Sequence, residues 1–216
     1  MNNILVLAPH GDDEVLGCGG AICKHLETGD QVTVAFIKAP YDKRSEIQLL
    51  NTDSSKNVLG YNKKVVLNLD IDDFFNKTLF ITKLEELIIN EKPDYIYSTF
   101  CSDLHQDHRA LFEALNSSCR TWGPHKVKKI LLYETISSTN QGFYSHFHPF
   151  SPNYYVVLNQ THVDRKINAM KCYSEEIKDS SHLRSQENIL HHLEARGREV
   201  MEKYAEAFYL IRSIEN

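Results

Sequence analysis

Two short stretches of this chain carry the side chains that could do chemistry. His10-Gly11-Asp12-Asp13-Glu14 sets an imidazole and three consecutive carboxylates between the apolar run Ile4-Leu5-Val6-Leu7 and a helical pattern. Asp103-Leu104-His105-Gln106-Asp107-His108 follows a second stretch that reads as a buried strand, Pro93 to Phe100, and again lies at a helix start. Adjacent carboxylates repel, and the free N–H groups and partial positive charge of a helix start offset only part of that repulsion. A divalent cation would offset the rest. His10 and Asp13, three residues apart on a tightening turn, can face one ion while Asp12 points elsewhere. Three ligands of His, Asp and His type with an open fourth position describe a hydrolytic zinc site.

Both stretches read as loops between a buried strand and a helix. If the two strands share a parallel sheet, both loops open on its carboxyl edge, where open α/β folds bind ligands. Gly29-Asp30 stops the first helix, and the alternating Val32-Thr33-Val34-Ala35-Phe36-Ile37 follows as a strand, completing a right-handed βαβ unit. Val65-Val66-Leu67 and Lys129 to Tyr133 add strands, and the amphipathic run Leu79 to Asn90 adds a helix. The predicted class is therefore α/β, a Rossmann-like, mostly parallel sheet flanked by helices, in a single domain over residues 1–216. Asn188 to Tyr204 reads as a long helix, and Ala207 to Ile211 as an edge strand or packed tail. Gly17, Gly19 and Gly20 predict close approach of another backbone or a ligand. Asp70, Asp72 and Asp73 read as an exposed acidic turn, since a calcium loop would need a glycine in register. The ring-rich segment Gln141 to Tyr155 suits either a sugar-stacking surface or a covering loop, with His146 and His148 as bystanders.

Composition narrows the function classes. The 216 residues are 42% hydrophobic and 25% charged, enough for one substantial core, and no linker divides them. A net charge of -5 gives no footprint for nucleic acid or an anionic membrane. Small molecules or glycan precursors are the expected partners. Five cysteines without a Cys-x-x-Cys pair, and no signal peptide, predict a reducing cytoplasm. No apolar run approaches the roughly 20 residues that span a bilayer. Cys18 and Cys101 lie in apolar surroundings that disfavour a thiolate nucleophile.

The two motifs resemble those of the PIG-L/LmbE-like family of zinc-dependent N-deacetylases, His-Pro-Asp-Asp-Glu and His-Pro-Asp-His. Tyr133-Glu134-Thr135, Ser151-Pro152-Asn153, Arg196-Gly197-Arg198 and Tyr204 to Phe208 resemble further family segments in matching order. The resemblance implies that His10, Asp13 and His108 hold Zn2+, that Asp12 is the general base, and that His105 stabilises the developing charge, as an imidazolium if protonated. Asp107 is expected to orient that imidazole. Gly11 and Gln106 depart from the family prolines at positions that carry no ligand. Arg44, and Arg184 in Ser181-His182-Leu183-Arg184-Ser185, are candidate substrate residues. The implied activity is removal of an N-acetyl group from an N-acetylglucosamine-type sugar. A zinc amidase for another acyl amide, or a non-catalytic nucleotide-sugar or metal-binding module, would use the same residues. Relatives often assemble, which leaves a homo-oligomer open.

Overall fold

In the computed structural model, which describes residues 1–143 and 148–215, strand and helix alternate along most of the chain. The strands are β1 (Asn3–Ala8), β2 (Gln31–Lys38), β3 (Lys63–Leu69), β4 (Tyr95–Thr99), β5 (Lys129–Tyr133), β6 (Tyr154–Leu158) and β7 (Tyr204–Ser213). The helices are α1 (Asp13–Glu27), α2 (Lys43–Leu59), α3 (Ile71–Phe75), α4 (Lys77–Glu91), α5 (Gln106–Ser118), α6 (Gln160–Lys171) and α7 (Gln186–Arg198). One seven-stranded sheet runs in the order β3-β2-β1-β4-β5-β7-β6. Its first five members pair parallel, and β7 runs antiparallel to both β5 and β6. Among the described residues, no helix is long and apolar enough to cross a membrane.

The period of two along each strand divides the core between the sheet faces. Ile4, Val6 and Ala8 of β1 pack with α1 and α6 residues such as Val15 and Met170. Leu5 and Leu7 point the other way, into Leu84 and Leu111 of α4 and α5. Parallel strands covered on both faces explain why the strand sequences read as nearly continuous apolar runs.

The first helix is broken. Cys18 leaves helical geometry (φ -148°, ψ 25°), which frees backbone groups on both sides of the kink. Lys166 Nζ donates to the Leu16 carbonyl at 2.8 Å and to Glu206 Oε1 at 2.6 Å. Glu206 in turn accepts from the N–H groups of Gly20 (2.8 Å) and Ala21 (2.7 Å), restarting the helix. Close approach at the glycines is real, but its partners are side chains rather than backbone or ligand. A Cβ on Gly17 would lie 2.1 Å from the Tyr133 ring, and one on Gly20 would lie 2.4 Å from Leu158 Cδ1.

Two further expectations are corrected. The last long helix ends at Arg198, not Tyr204, because Met201 takes φ 61° and the Glu202 N–H returns to the Gly197 carbonyl at 2.9 Å, which turns the chain into β7. The terminal segment is neither edge nor tail: β7 lies between β5 and β6, and β6 is the edge. The acidic run at Asp70 starts the one-turn helix α3, with Asp70 accepting from the Asp73 N–H at 2.8 Å. Of the ring-rich segment, Tyr144, His146 and Phe147 fall outside the described residues.

Candidate active site

Strand order reverses between β1 and β4, and the two motifs leave the carboxyl ends of these neighbouring strands. After β1 the chain passes through Asp12 with φ at 91°, a conformation that costs a non-glycine residue of order 1–3 kcal/mol. Glu14 helps hold it there. Its Oε2 accepts from the Asp12 N–H at 3.1 Å, and its Oε1 accepts from Ser55 Oγ (2.8 Å) and the Tyr173 hydroxyl (2.6 Å). Burial pushes the Glu14 carboxyl up to about 7, against those hydrogen bonds. After β4, His105 is the N-cap of α5, its Nδ1 accepting from the Asp107 N–H at 3.3 Å. That acceptor role places the proton of a neutral His105 on Nε2.

Ligand atoms of His10, Asp13 and His108 lie within 4.8 Å of one another. Asp13 stands between the imidazoles, its Oδ2 3.2 Å from His10 Nδ1 and its Oδ1 3.4 Å from His108 Nε2. The far side of each ring faces a carboxylate: His10 Nε2 lies 2.8 Å from Asp107 Oδ2, and His108 Nδ1 lies 3.3 Å from Asp103 Oδ2. Carboxylates behind imidazoles are the usual support of metal-binding histidines, fixing tautomer and orientation. Asp103 is itself fixed by Ser138 Oγ (3.0 Å) and Thr139 Oγ1 (2.6 Å).

His10, His105 and Asp107 form a second group within the same 4.8 Å limit. Here Lys38 decides. Its ammonium, at the end of β2, lies 2.6 Å from Asp107 Oδ2, so a cation there would have to displace a buried positive charge. The donor set that fits zinc is His10, Asp13 and His108, two imidazoles and one carboxylate with room for a further ligand. Asp107 meets His105 through its backbone N–H, while its carboxylate stands 3.9 Å from that ring and much closer to His10.

The site's electrostatics follow from this crowding. Burial would lower both proposed ligand imidazoles, but facing carboxylates outweigh it, Asp107 and Asp13 carrying His10 to about 8, and Asp13 and Asp103 carrying His108 to about 10. Asp13 is held well below the usual carboxylate range by His108 and His10, against its burial. Burial, then the His108 and His10 rings, push His105 down to about 4. In the metal-free protein at pH 7 the His105 ring is therefore neutral, and the condition for an imidazolium there is not met.

Arg184, on the loop between α6 and α7, reaches the cleft. Its Nη1 donates to Asp12 Oδ2 (2.9 Å) and to Glu176 Oε2 (2.8 Å). Burial raises the Asp12 carboxyl well above its ordinary value, and Arg184 opposes that rise. Arg44 grips the same Glu176 through Nε (2.8 Å) and Nη2 (2.6 Å). His182 is exposed and its Nδ1 accepts from the Arg184 N–H at 3.0 Å, while His192 faces Glu134 at 2.9 Å. The cleft over His10, Asp12 and His108 encloses ≈ 120 Å³. A larger groove of ≈ 500 Å³ between α3, α4 and α5 shares no lining residue with it among the described residues.

The model of the family described as "PIG-L: GlcNAc-PI de-N-acetylase" matches residues 5–119, more than half of the chain and both motifs. This chain belongs to the PIG-L family. The PIG-L member described here is 28% identical to "Uncharacterized deacetylase YaiS" of Escherichia coli (strain K12) over 144 residues, 62% of this chain and 75% of that one. Solved structures share its fold, among them the following three. The conserved protein TT1542 of Thermus thermophilus superposes with a TM-score of 0.80 at 19% identity, covering 100% of this chain and 97% of that one. The N,N'-diacetylchitobiose deacetylase of Pyrococcus horikoshii gives 0.73 at 20%, over 97% and 83%. GalB of Pseudomonas putida KT2440, a 4-carboxy-2-hydroxymuconate hydratase, gives 0.76 at 17%, over 100% and 99%. One fold thus carries a deacetylase and a hydratase, so for this PIG-L protein the chemistry has to be argued from the site.

His10, Asp12, Asp13, His105 and His108 line one cleft, with Arg44 and Arg184 on its wall, and Asp107 stands behind His10. Three residues were missed. Asp103 and Lys38 brace the imidazoles, and Glu176 joins the two arginines. Asp103 precedes the second motif by a spacing that carries no signature, and Lys38 and Glu176 arrive from other parts of the chain.

Proposed function

We propose that this PIG-L protein is a zinc-dependent N-deacetylase acting on an N-acetylglucosamine-type sugar. The observation that carries the reading is the convergence of His10 Nδ1, Asp13 and His108 Nε2, with carboxylates behind both rings. When bound to these three residues, zinc supplies a Lewis acid that lowers a water's pKa toward ~7 and polarises an amide carbonyl.

The remaining work falls to the chain itself. Arg184 holds one oxygen of Asp12, which leaves the other to take the proton of the attacking water. Burial keeps that carboxyl basic enough for the task, and the same proton then goes to the leaving nitrogen as the C–N bond breaks. His105, neutral and with its proton on Nε2, donates to the carbonyl oxygen as negative charge gathers there. Asp107 and Lys38 keep the His10 ring in place rather than touching substrate. Acetate and a free amine are the products.

The sugar is supported by the family description, which is of a de-N-acetylase of GlcNAc-PI, and by the chitobiose deacetylase of the same fold. A reducing compartment, the cytoplasm, suits the five thiols, none of which is bridged.

The test is acetate release from free, nucleotide-linked, lipid-linked and inositol-linked N-acetylglucosamine by zinc-loaded protein, with and without chelator. Chelator-sensitive release is expected, and Asp12→Asn should lower it about 10²- to 10⁴-fold while retaining zinc. Zinc-loaded protein that releases acetate from none of them would move the assignment to an amidase of other scope, or to a binding module if simple acyl amides also survive.

A further inference from the structure

The cleft is too small for the substrate that the proposed function gives it. Its ≈ 120 Å³ is below the roughly 150 Å³ of a cavity that takes a benzene, so an acetamide fits and a hexose ring with its hydroxyls extends beyond it. The ring must therefore rest on the rim, and the rim residue suited to hold it is Tyr41.

Tyr41 lies on the connection from β2 to α2 and lines the cleft beside Asp42 and Arg44. Its side chain is 60% exposed, unusual for a large aromatic, yet its backbone is pinned. The Tyr41 N–H donates to Ser45 Oγ at 2.9 Å, beside the capping box that starts α2, in which the Asp42 N–H donates to the same Ser45 Oγ at 3.0 Å and the Ser45 N–H donates to Asp42 Oδ1 at 2.7 Å. Lys38 Nζ stands 4.8 Å from the ring centroid and supports one face of the ring. An exposed aromatic held this firmly, with polar side chains around it, is the arrangement that takes the apolar C–H face of a pyranose while its hydroxyls reach polar neighbours.

Among the described residues, the two most exposed other hydrophobic rings, Phe143 at 87% and Trp122 at 77%, do not line the cleft. Trp122 sits in the connection from α5 to β5, at the opposite edge of the sheet, against the Arg120 guanidinium.

We propose that Tyr41 is the sugar platform of this site: its ring takes the apolar face of the pyranose whose N-acetyl group enters the cleft. The proposal rests on the N-acetylhexosamine reading and assigns the residue that would distinguish a sugar amide from a simple one.

The experiment compares kcat/KM for methyl N-acetylglucosaminide with that for N-acetylethanolamine, which offers the acetamide without a ring. Wild-type protein, Tyr41→Phe and Tyr41→Ala are assayed with zinc content and circular dichroism measured on each. The sugar-over-ringless ratio should fall about ten-fold in Tyr41→Ala, through KM rather than kcat, and stay near wild type in Tyr41→Phe. An unchanged ratio in a folded, zinc-loaded Tyr41→Ala would overturn the platform while leaving the sugar reading intact. If Tyr41→Phe fell as far as Tyr41→Ala, the hydroxyl rather than the ring face would be the determinant, which also overturns it. Hydrolysis of N-acetylethanolamine but of no sugar by wild-type protein would instead defeat the sugar reading, and the platform with it.

Discussion

Helix α1 has charged side chains buried near both of its halves, and the two groups differ in how completely they are paired. At the kink, Glu206 and Lys166 are closed on themselves: one carboxylate takes two backbone N–H groups and an ammonium, and that ammonium also takes a carbonyl. At the N-terminal end the pairing is unfinished. Asp13 lies at 3.2 and 3.4 Å from two imidazoles, Asp107 Oδ1 has no partner among the described residues, and Asp12 is held in a left-handed backbone. Both groups cost desolvation energy. Only the second leaves donor atoms aimed at a common point, which separates a site from a brace although both are buried.

That contrast can be broken by experiment. The largest effect is expected for His108→Ala, which should abolish zinc binding and bring acetate release to background while the fold persists, as read by metal analysis and circular dichroism. Glu206→Ala should do the reverse. Leaving Lys166 buried without its carboxylate should cost about 3–5 kcal/mol in urea unfolding, with zinc still bound to the folded fraction. A Glu206→Ala protein of native stability that had lost zinc would erase the distinction.

The comparison sharpens at Lys38, whose charge belongs to the site but touches no proposed ligand atom of the ion. Lys38→Met should weaken zinc affinity about 10- to 100-fold, measured by competition with a chelator, because Asp107 then loses the partner that fixes it behind His10. The smallest signal is protonic. With His10 at about 8 and His108 at about 10, both rings carry protons in metal-free protein at pH 7, and a metal can bind only their neutral forms. Zinc binding should therefore release about two protons at pH 7, seen by calorimetry in buffers of different ionisation enthalpy, and affinity should rise with pH until about 10. Release of no protons would mean that the carboxylates do not charge these rings.

What the sequence makes legible is whatever is local. His10 and Asp13 share one turn and His108 sits at a helix start, so their residue types and spacing carry the signal. The parallel sheet is equally legible, because strands covered on both faces must be apolar throughout. What is not legible depends on adjacency between distant segments. Lys38 becomes a partner of Asp107 only because the β1 end lies between those of β2 and β4, and Arg184 reaches Asp12 across 172 positions of sequence. The place of β7 is hidden for the same reason: a strand inserted between β5 and β6 has the same alternation as one at the edge. The glycines of α1 do announce a close approach, but nothing in their spacing names the Tyr133 ring or Leu158 as the neighbour.

The left-handed backbone at Asp12 also bears on how this chain can change over generations. Glycine, with no Cβ, accepts that conformation most readily, and it lacks the carboxylate. Glutamate keeps the carboxylate but gains nothing in backbone ease and moves the charge outward. The replacement that relieves the fold is thus one that silences the proposed base. Relaxed selection would carry such a lineage toward inert, better-folded descendants, and aspartate persisting at this position across relatives would be a record of continuous use.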